Sequence, residues 1–148
     1  MAEEFFLNSL GQQLKVLNVL VEKAMNNGLK QLGLNLTGTQ VGVLLMVQRR
    51  APMTQKQIEL ALKLSHPTTR GIVKRLVTTG LVQTRPQVAD QRQIVLTLTV
   101  TGQTLMANYA EQLQAQVARV EEQLLANLTA ADRVSLQHLL TQMIQNMS

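Results

Sequence analysis

A mainly α fold (α+β), with a helix-and-hairpin unit in mid-chain and long helices at both ends, is predicted by three observations. Apolar residues recur at three-and-four spacing over both terminal regions, the period of an amphipathic helix. Between them the pattern shortens into two brief capped segments and then changes to alternation from residue 93 to 98. Positive charge gathers in the same middle. From 49 to 92, nine basic residues stand against Glu59 and Asp90, a net of +7, whereas the rest of the chain carries five basic and seven acidic groups, a net of −2.

The 148 residues, 45% of them hydrophobic, are enough to build a core. No apolar run is long enough to span a bilayer, and the start Met1-Ala2-Glu3-Glu4 lacks the basic end of a signal peptide. There is no cysteine, hence no disulfide, thiolate metal site or cysteine redox switch. These features predict a soluble, cytoplasmic protein with no membrane partner.

The first helix is expected from about residue 4 to 31, with Leu10, Leu14, Leu17, Val21 and Met25 on one face. Leu29 and Leu32 carry the pattern past Asn26-Asn27-Gly28. Phe5, Phe6, Val16 and Leu20 widen the apolar stripe beyond one packing contact, so a second surface, such as another subunit, is expected to use them.

Leu36-Thr37-Gly38-Thr39-Gln40 opens the next helix through a capping box, in which Thr37 and Gln40 satisfy each other's backbone N–H groups. Val41, Leu44 and Leu45 are expected to face inward until Arg49-Arg50-Ala51-Pro52 ends the helix. The same device at Thr54-Gln55-Lys56-Gln57 starts a short helix with Ile58, Ala61 and Leu62 toward the core, ending at Leu64. Ser65 caps the following helix, and Pro67 fits its first turn, where a missing N–H costs nothing. Two short helices so joined form a helix-turn-helix, whose second helix enters the major groove of DNA.

At about 100° per residue, Thr69, Ile72, Val73 and Leu76 of the second helix share the buried face. Pro67, Arg70, Gly71 and Lys74 lie opposite, Arg75 stands to one side, and Ser65, His66 and Thr68 form the leading tip. Gly71 costs roughly 1 kcal/mol relative to alanine in mid-helix; it either lets a base edge or backbone approach or is merely tolerated. Gly80 closes the helix, Leu81 to Arg85 reads as a strand, and after a polar loop from Pro86 to Gln91 a second strand alternates Ile94, Leu96 and Leu98 with Gln93, Val95 and Thr97. This hairpin is a wing with Arg92 at its tip, suited to a minor groove, where negative potential is strongest over narrow A/T-rich sequence. Asp90 has the wrong sign for phosphate contact and is assigned to holding Arg92 and the loop; an exposed ion pair of little consequence is the alternative.

Thr99 caps a long helix with Leu105, Tyr109, Leu113, Val117, Val120 and Leu124 in phase as far as Asn127. Thr129 and Asp132 open the last one, which carries Leu136, Leu139, Leu140, Met143, Ile144 and Met147. So apolar a terminal helix is expected to pack against a partner, internal packing alone being the alternative. The expected organisation is a helical dimerisation lobe from residues 1–33 and 103–148, and a winged helix-turn-helix DNA-binding lobe from residues 34–102.

No nucleophile, acid and base converge in the sequence, and His66 and His138 are far apart without companion cysteines, so neither a catalytic site nor a metal or cofactor is expected. Aromatic residues make up only 2% of the chain, too few to stack on unpaired bases, which disfavours single-stranded RNA as the target. Two readings remain: a double-stranded DNA-binding regulator, favoured by the charge split, and a helical dimer whose winged helix mediates protein–protein interaction. For the first, the candidate DNA-binding residues are Ser65, His66, Thr68, Thr69, Arg70, Lys74 and Arg75 on the helix, Arg85 on the wing strand, and Asp90 and Arg92 at the tip.

The order of these motifs resembles the MarR family of winged-helix transcription regulators. The resemblance rests on Leu36-Thr37 with Gln40, on Leu64-Ser65-His66-Pro67-Thr68-Thr69, on Arg75-Leu76 followed by Gly80-Leu81-Val82, and most specifically on Asp90-Gln91-Arg92 followed by Leu98-Thr99 and Gly102. It implies a homodimer with interleaved terminal helices that binds inverted-repeat operators, usually as a repressor, and that answers to a small-molecule effector held between the two lobes. It also implies major-groove and phosphate contacts from Ser65, His66, Thr68, Arg70 and Lys74, with Arg92 serving the wing. Two positions depart from the family pattern: Thr84 precedes Arg85 where members often have two consecutive arginines, and Gln91 takes the middle of an Asp-Arg-Arg tip. The lack of cysteine excludes the thiol switch of peroxide-sensing members.

Overall fold

Six of the eight helices begin at a serine or threonine whose side chain accepts a backbone N–H three residues on: Ser9, Thr37, Thr54, Ser65, Thr99 and Thr129. At Thr37, Thr54 and Thr129 the reciprocal bond from Gln40, Gln57 and Asp132 completes the box. Each such cap stabilises its helix by about 1 kcal/mol. In this computed structural model, which describes residues 1–148, the elements are α1 (Ala2–Leu7), α2 (Leu10–Gln31), α3 (Gly38–Arg50), β1 (Met53–Thr54), α4 (Gln55–Leu62), α5 (His66–Thr78), β2 (Val82–Pro86), β3 (Ile94–Leu98), α6 (Val100–Asn108), α7 (Ala110–Leu124) and α8 (Ala130–Met147).

Two expected long helices are each divided. The first breaks at Asn8-Ser9, because the Ser9 hydroxyl caps a new helix by accepting from the Gln12 N–H and donating to the Phe6 carbonyl. The second breaks at Tyr109, where no side chain caps the new start, and it ends at Leu124, short of Asn127. The short helix α4 closes on Lys63 in the left-handed region (φ 54°), not on Leu64.

The wing is a three-stranded antiparallel sheet in the order β1-β3-β2. β1 was not expected; it pairs Met53 with Leu96 and Thr54 with Val95, while β2 pairs Val82 with Leu98 and Arg85 with Val95. Being central, β3 buries Val95 as well as Leu96 and Leu98, and it leaves Ile94 exposed at its start. The simple alternation expected for one covered face therefore fails at both Val95 and Ile94.

A single core joins the helix-turn-helix to the helical part. Leu29 of α2, Val43, Leu44 and Val47 of α3, Ile58 of α4, Leu76 of α5, Leu96 of β3 and Met106 of α6 are all at most 2% exposed. Within α3 it is Val43 that turns inward, whereas Leu45 is 43% exposed; Ala61 of α4 also faces out, and Leu62 is half-buried. Gly102 lets α6 start directly against the Leu81 carbonyl, which a Cβ would strike. There the Thr99 hydroxyl donates to the Gly80 carbonyl and accepts from the Gly102 N–H, and Gly80 has φ 76°.

The ends of the chain are different. Leu10, Leu14, Leu17 and Leu20 of α2 are at least 36% exposed, and α8 has no buried residue, leaving Leu139, Leu140 and Ile144 uncovered. No helix is long and apolar enough to cross a membrane.

Candidate nucleic-acid interface

Burial of one face sets the rotation of α5. Thr69 (0% exposed), Val73 and Leu76 pack inward and Ile72 is half-buried, so Arg70, Gly71 and Lys74 are left in the open. Thr69, counted among the DNA-facing candidates, is thus a packing group: its hydroxyl donates to the Ser65 carbonyl at 3.0 Å and has no outward reach. A Cβ at Gly71 would meet nothing within 4 Å, so this part of the helix is an uncovered strip between Arg70 and Lys74.

The N-terminal tip of α5 is ordered by its own hydroxyls. Ser65 Oγ accepts from the Thr68 N–H at 3.2 Å and donates to Thr68 Oγ1 at 2.8 Å. His66 is held from α4: its Nδ1 lies 2.7 Å from Glu59 Oε1, and the Gln55 amide donates to that same oxygen at 3.2 Å. Partial desolvation raises the Glu59 pKa, but the hydrogen bonds from Gln55 and His66 and the charges of His66 and Lys56 outweigh it, leaving the carboxyl below its ordinary value. Gln55 and Glu59 were not among the sequence candidates. Nothing in their local pattern marks them, because the bond they make spans the turn between two helices.

At the wing tip, Asp90 Oδ1 accepts from the Arg92 backbone N–H at 3.1 Å and stands 3.9 Å from the Arg92 Nε. The Asp90 carbonyl accepts from the Gln93 N–H, and the Gln93 carbonyl from Gln87. With the Arg92 side chain 97% exposed, the ion pair itself is weak; Asp90 chiefly shapes the backbone that presents Arg92. Arg92 lines one recess with Lys56, Glu59 and His66, so the wing and the leading tip of α5 meet in a continuous surface. Its two carboxylates, Glu59 and Asp90, are both engaged within the chain. Arg85 is exposed on β2. Arg75 is not part of that recess; it lines another, with Asn26, Lys30 and Thr37.

Behind α5 lies an apolar groove of about 1370 Å³. Leu64, Thr68 and Ile72 of the helix-turn-helix form one wall, and Met25 and Val117 of α2 and α7 contribute to the other. Elsewhere no three His, Cys, Asp or Glu residues come together in a way that holds a metal ion.

The arrangement has counterparts among known proteins. The model of the MarR family matches residues 34–93, the stretch from just before α3 to the wing tip. An HTH-type transcriptional regulator of Bacillus subtilis, YwoH, is 32% identical over 126 residues, covering 85% of this chain and 87% of that protein. The chain belongs to the MarR family. Its similarity to the transcriptional repressor NicR of Pseudomonas putida is 30% over 111 residues, covering 75% of this chain and 68% of NicR. In three dimensions this MarR-family chain is similar to a variant of Escherichia coli MarR solved in complex with operator DNA, with a TM-score of 0.78 and 26% identity across 94% of this chain and 96% of that one. The family match, residues 34–93, includes all ten candidate DNA-binding residues, from Ser65 to Arg92.

Proposed function

We propose that this MarR-family chain is a cytoplasmic, sequence-specific double-stranded DNA-binding transcriptional regulator that acts as a homodimeric repressor and is released by a small molecule. The observation that carries the reading is the single surface formed by the leading tip of α5 and the wing, basic and with both of its carboxylates engaged internally. The similar E. coli structure, bound to operator DNA, supports the same reading.

In this proposal Ser65, His66, Thr68 and Arg70 address base edges in the major groove. Lys74, Arg75 and Arg85 neutralise phosphates, Arg92 enters the minor groove, and Asp90 holds the loop that carries it. Residues 34–102 form the DNA-binding lobe. Residues 1–33 and 103–148 form the dimerisation lobe, where a second copy covers the exposed leucines of α2 and the outer face of α8. The effector occupies the groove behind α5. Because Thr68 and Ile72 line that groove, an occupant that prefers one placement of α5 over another shifts the balance between bound and free protein.

The test is the salt dependence of operator binding. If the dimer neutralises about eight phosphates, the slope of log K against log salt is near −7. A shallow slope with no preference among DNA sequences removes the operator-binding reading and leaves the protein-partner alternative.

A further inference from the structure

The contact between Glu59 and His66 does more than join two helices. An ionised carboxylate only accepts hydrogen bonds, so at 2.7 Å the His66 Nδ1 must carry the proton that lies between them. The rival neighbour is the Gln55 amide, a donor that would demand a bare Nδ1. It stands 3.5 Å away, however, and gives its N–H to Glu59 at 3.2 Å. The closer partner decides the tautomer.

With Nδ1 occupied, the other ring nitrogen, Nε2, has no hydrogen bond within the chain, and the His66 side chain is 67% exposed at the first turn of α5. A neutral ring held this way offers a lone pair at Nε2, not an N–H. Glu59 itself is only 16% exposed and also takes the Gln55 N–H, so it stands as an acceptor toward the ring. The other charged groups of the recess, Lys56 and Arg92, are cations with no acceptor to offer the ring.

We infer that Glu59 is a positioning residue for base recognition: by fixing His66 as the Nδ1–H tautomer it makes Nε2 a hydrogen-bond acceptor, matched to the exocyclic amino group of adenine or cytosine in the major groove. Guanine and thymine present acceptors at the corresponding edge and are rejected. The inference rests on the DNA-binding reading for its target. It does not rest on it for the tautomer, which belongs to the free protein.

The experiment has two arms, both on the full chain in mildly alkaline buffer. Nitrogen-15 NMR of the histidine rings, with His66→Ala to assign the signal, is expected to show Nδ1 protonated and Nε2 bare in the native protein, with the pattern reversing in Glu59→Ala. Selection from a random duplex pool is expected to show one position per half-site whose adenine or cytosine preference is lost in Glu59→Ala and in His66→Ala. Affinity for the preferred site then falls about threefold to tenfold, the value of one hydrogen bond. Glu59→Gln restores the tautomer and the preference, since its amide oxygen accepts where the carboxylate did. An Nε2-protonated ring in the native protein overturns the inference, as does a Glu59→Ala effect spread evenly over every base position. Native protein that binds no duplex selectively, while its ring is Nδ1-protonated, overturns both the base-recognition role and the DNA-binding reading, whereas selective binding indifferent to Glu59 overturns only the former.

Discussion

Gln116 of α7 lies across Gly28 of α2, and its amide fills the space that a side chain at position 28 would need. The amide is only 4% exposed, donates to the Ala24 carbonyl at 3.3 Å and accepts from Arg119 at 2.9 Å. Gly28→Ala gains about 1 kcal/mol of helix propensity. It also displaces a buried amide from its partners, at about 1–3 kcal/mol, and overpacks the contact by a similar amount. The net expectation is a loss of about 1–5 kcal/mol in urea unfolding at fixed protein concentration. Adding Gln116→Ala should recover part of it; wild-type stability in Gly28→Ala alone would show that the two helices part without cost.

Arg92 separates binding from folding. Its side chain is 97% exposed, so Arg92→Ala should change unfolding stability by less than about 0.5 kcal/mol. Operator affinity should fall, and the salt slope should become shallower by about 2, one contact from each half of the proposed dimer. An unchanged gel-shift titration would take the wing tip out of the interface.

The outer face of α8 tests the proposed dimer. Leu139 and Ile144 are 56% and 60% exposed in the single chain, so replacing both with aspartate removes nothing from its own core. The double variant should sediment as a monomer with native helical content and lose tight operator binding. A dimer of wild-type mass would place the subunit contact elsewhere.

Acid should reveal the Glu59 contact. Its carboxyl is lowered when folded, so the unfolded chain binds that proton more tightly and the contact's contribution is complete above the ordinary glutamate range, about pH 4.3. The contribution then fades as pH falls through the lower folded value. Urea midpoints of wild type and Glu59→Gln should differ above the ordinary glutamate range and converge as pH falls below it. A difference that persists or widens below that range has the wrong sign for this contact.

Much of this molecule is written in short stretches. The caps at Thr37, Thr54, Ser65 and Thr129, the inward set Thr69, Val73 and Leu76, and the left-handed Gly80 each depend on residues within one or two turns, so they can be read along the chain. Ser9 carried a readable signal as well, a serine three residues before Gln12, yet the continuous apolar stripe from Phe5 to Leu14 concealed it. β1 had no such signal: two residues are too few to show a period, and Met53 and Thr54 become a strand only because β3 lies beside them. The choice of Val43 over Leu45 for the core was equally out of reach, since both are apolar and only the placement of the neighbouring elements separates them.

By itself the sequence determined where the capped helices α3, α4, α5, α6 and α8 start, which face of α5 is buried, and that a basic unit sits between two apolar ends. Local hydrogen bonds and hydrophobic periodicity act over about four residues and need no knowledge of the chain's path. Only the tertiary structure decided that Glu59 faces His66, that Arg92 joins the same recess as Lys56, and that Gln116 bonds to the Ala24 carbonyl, 92 residues earlier. Those contacts depend on a few ångströms of relative placement between separate elements, which the packed core around Leu44, Ile58 and Leu96 imposes and no short stretch of sequence encodes.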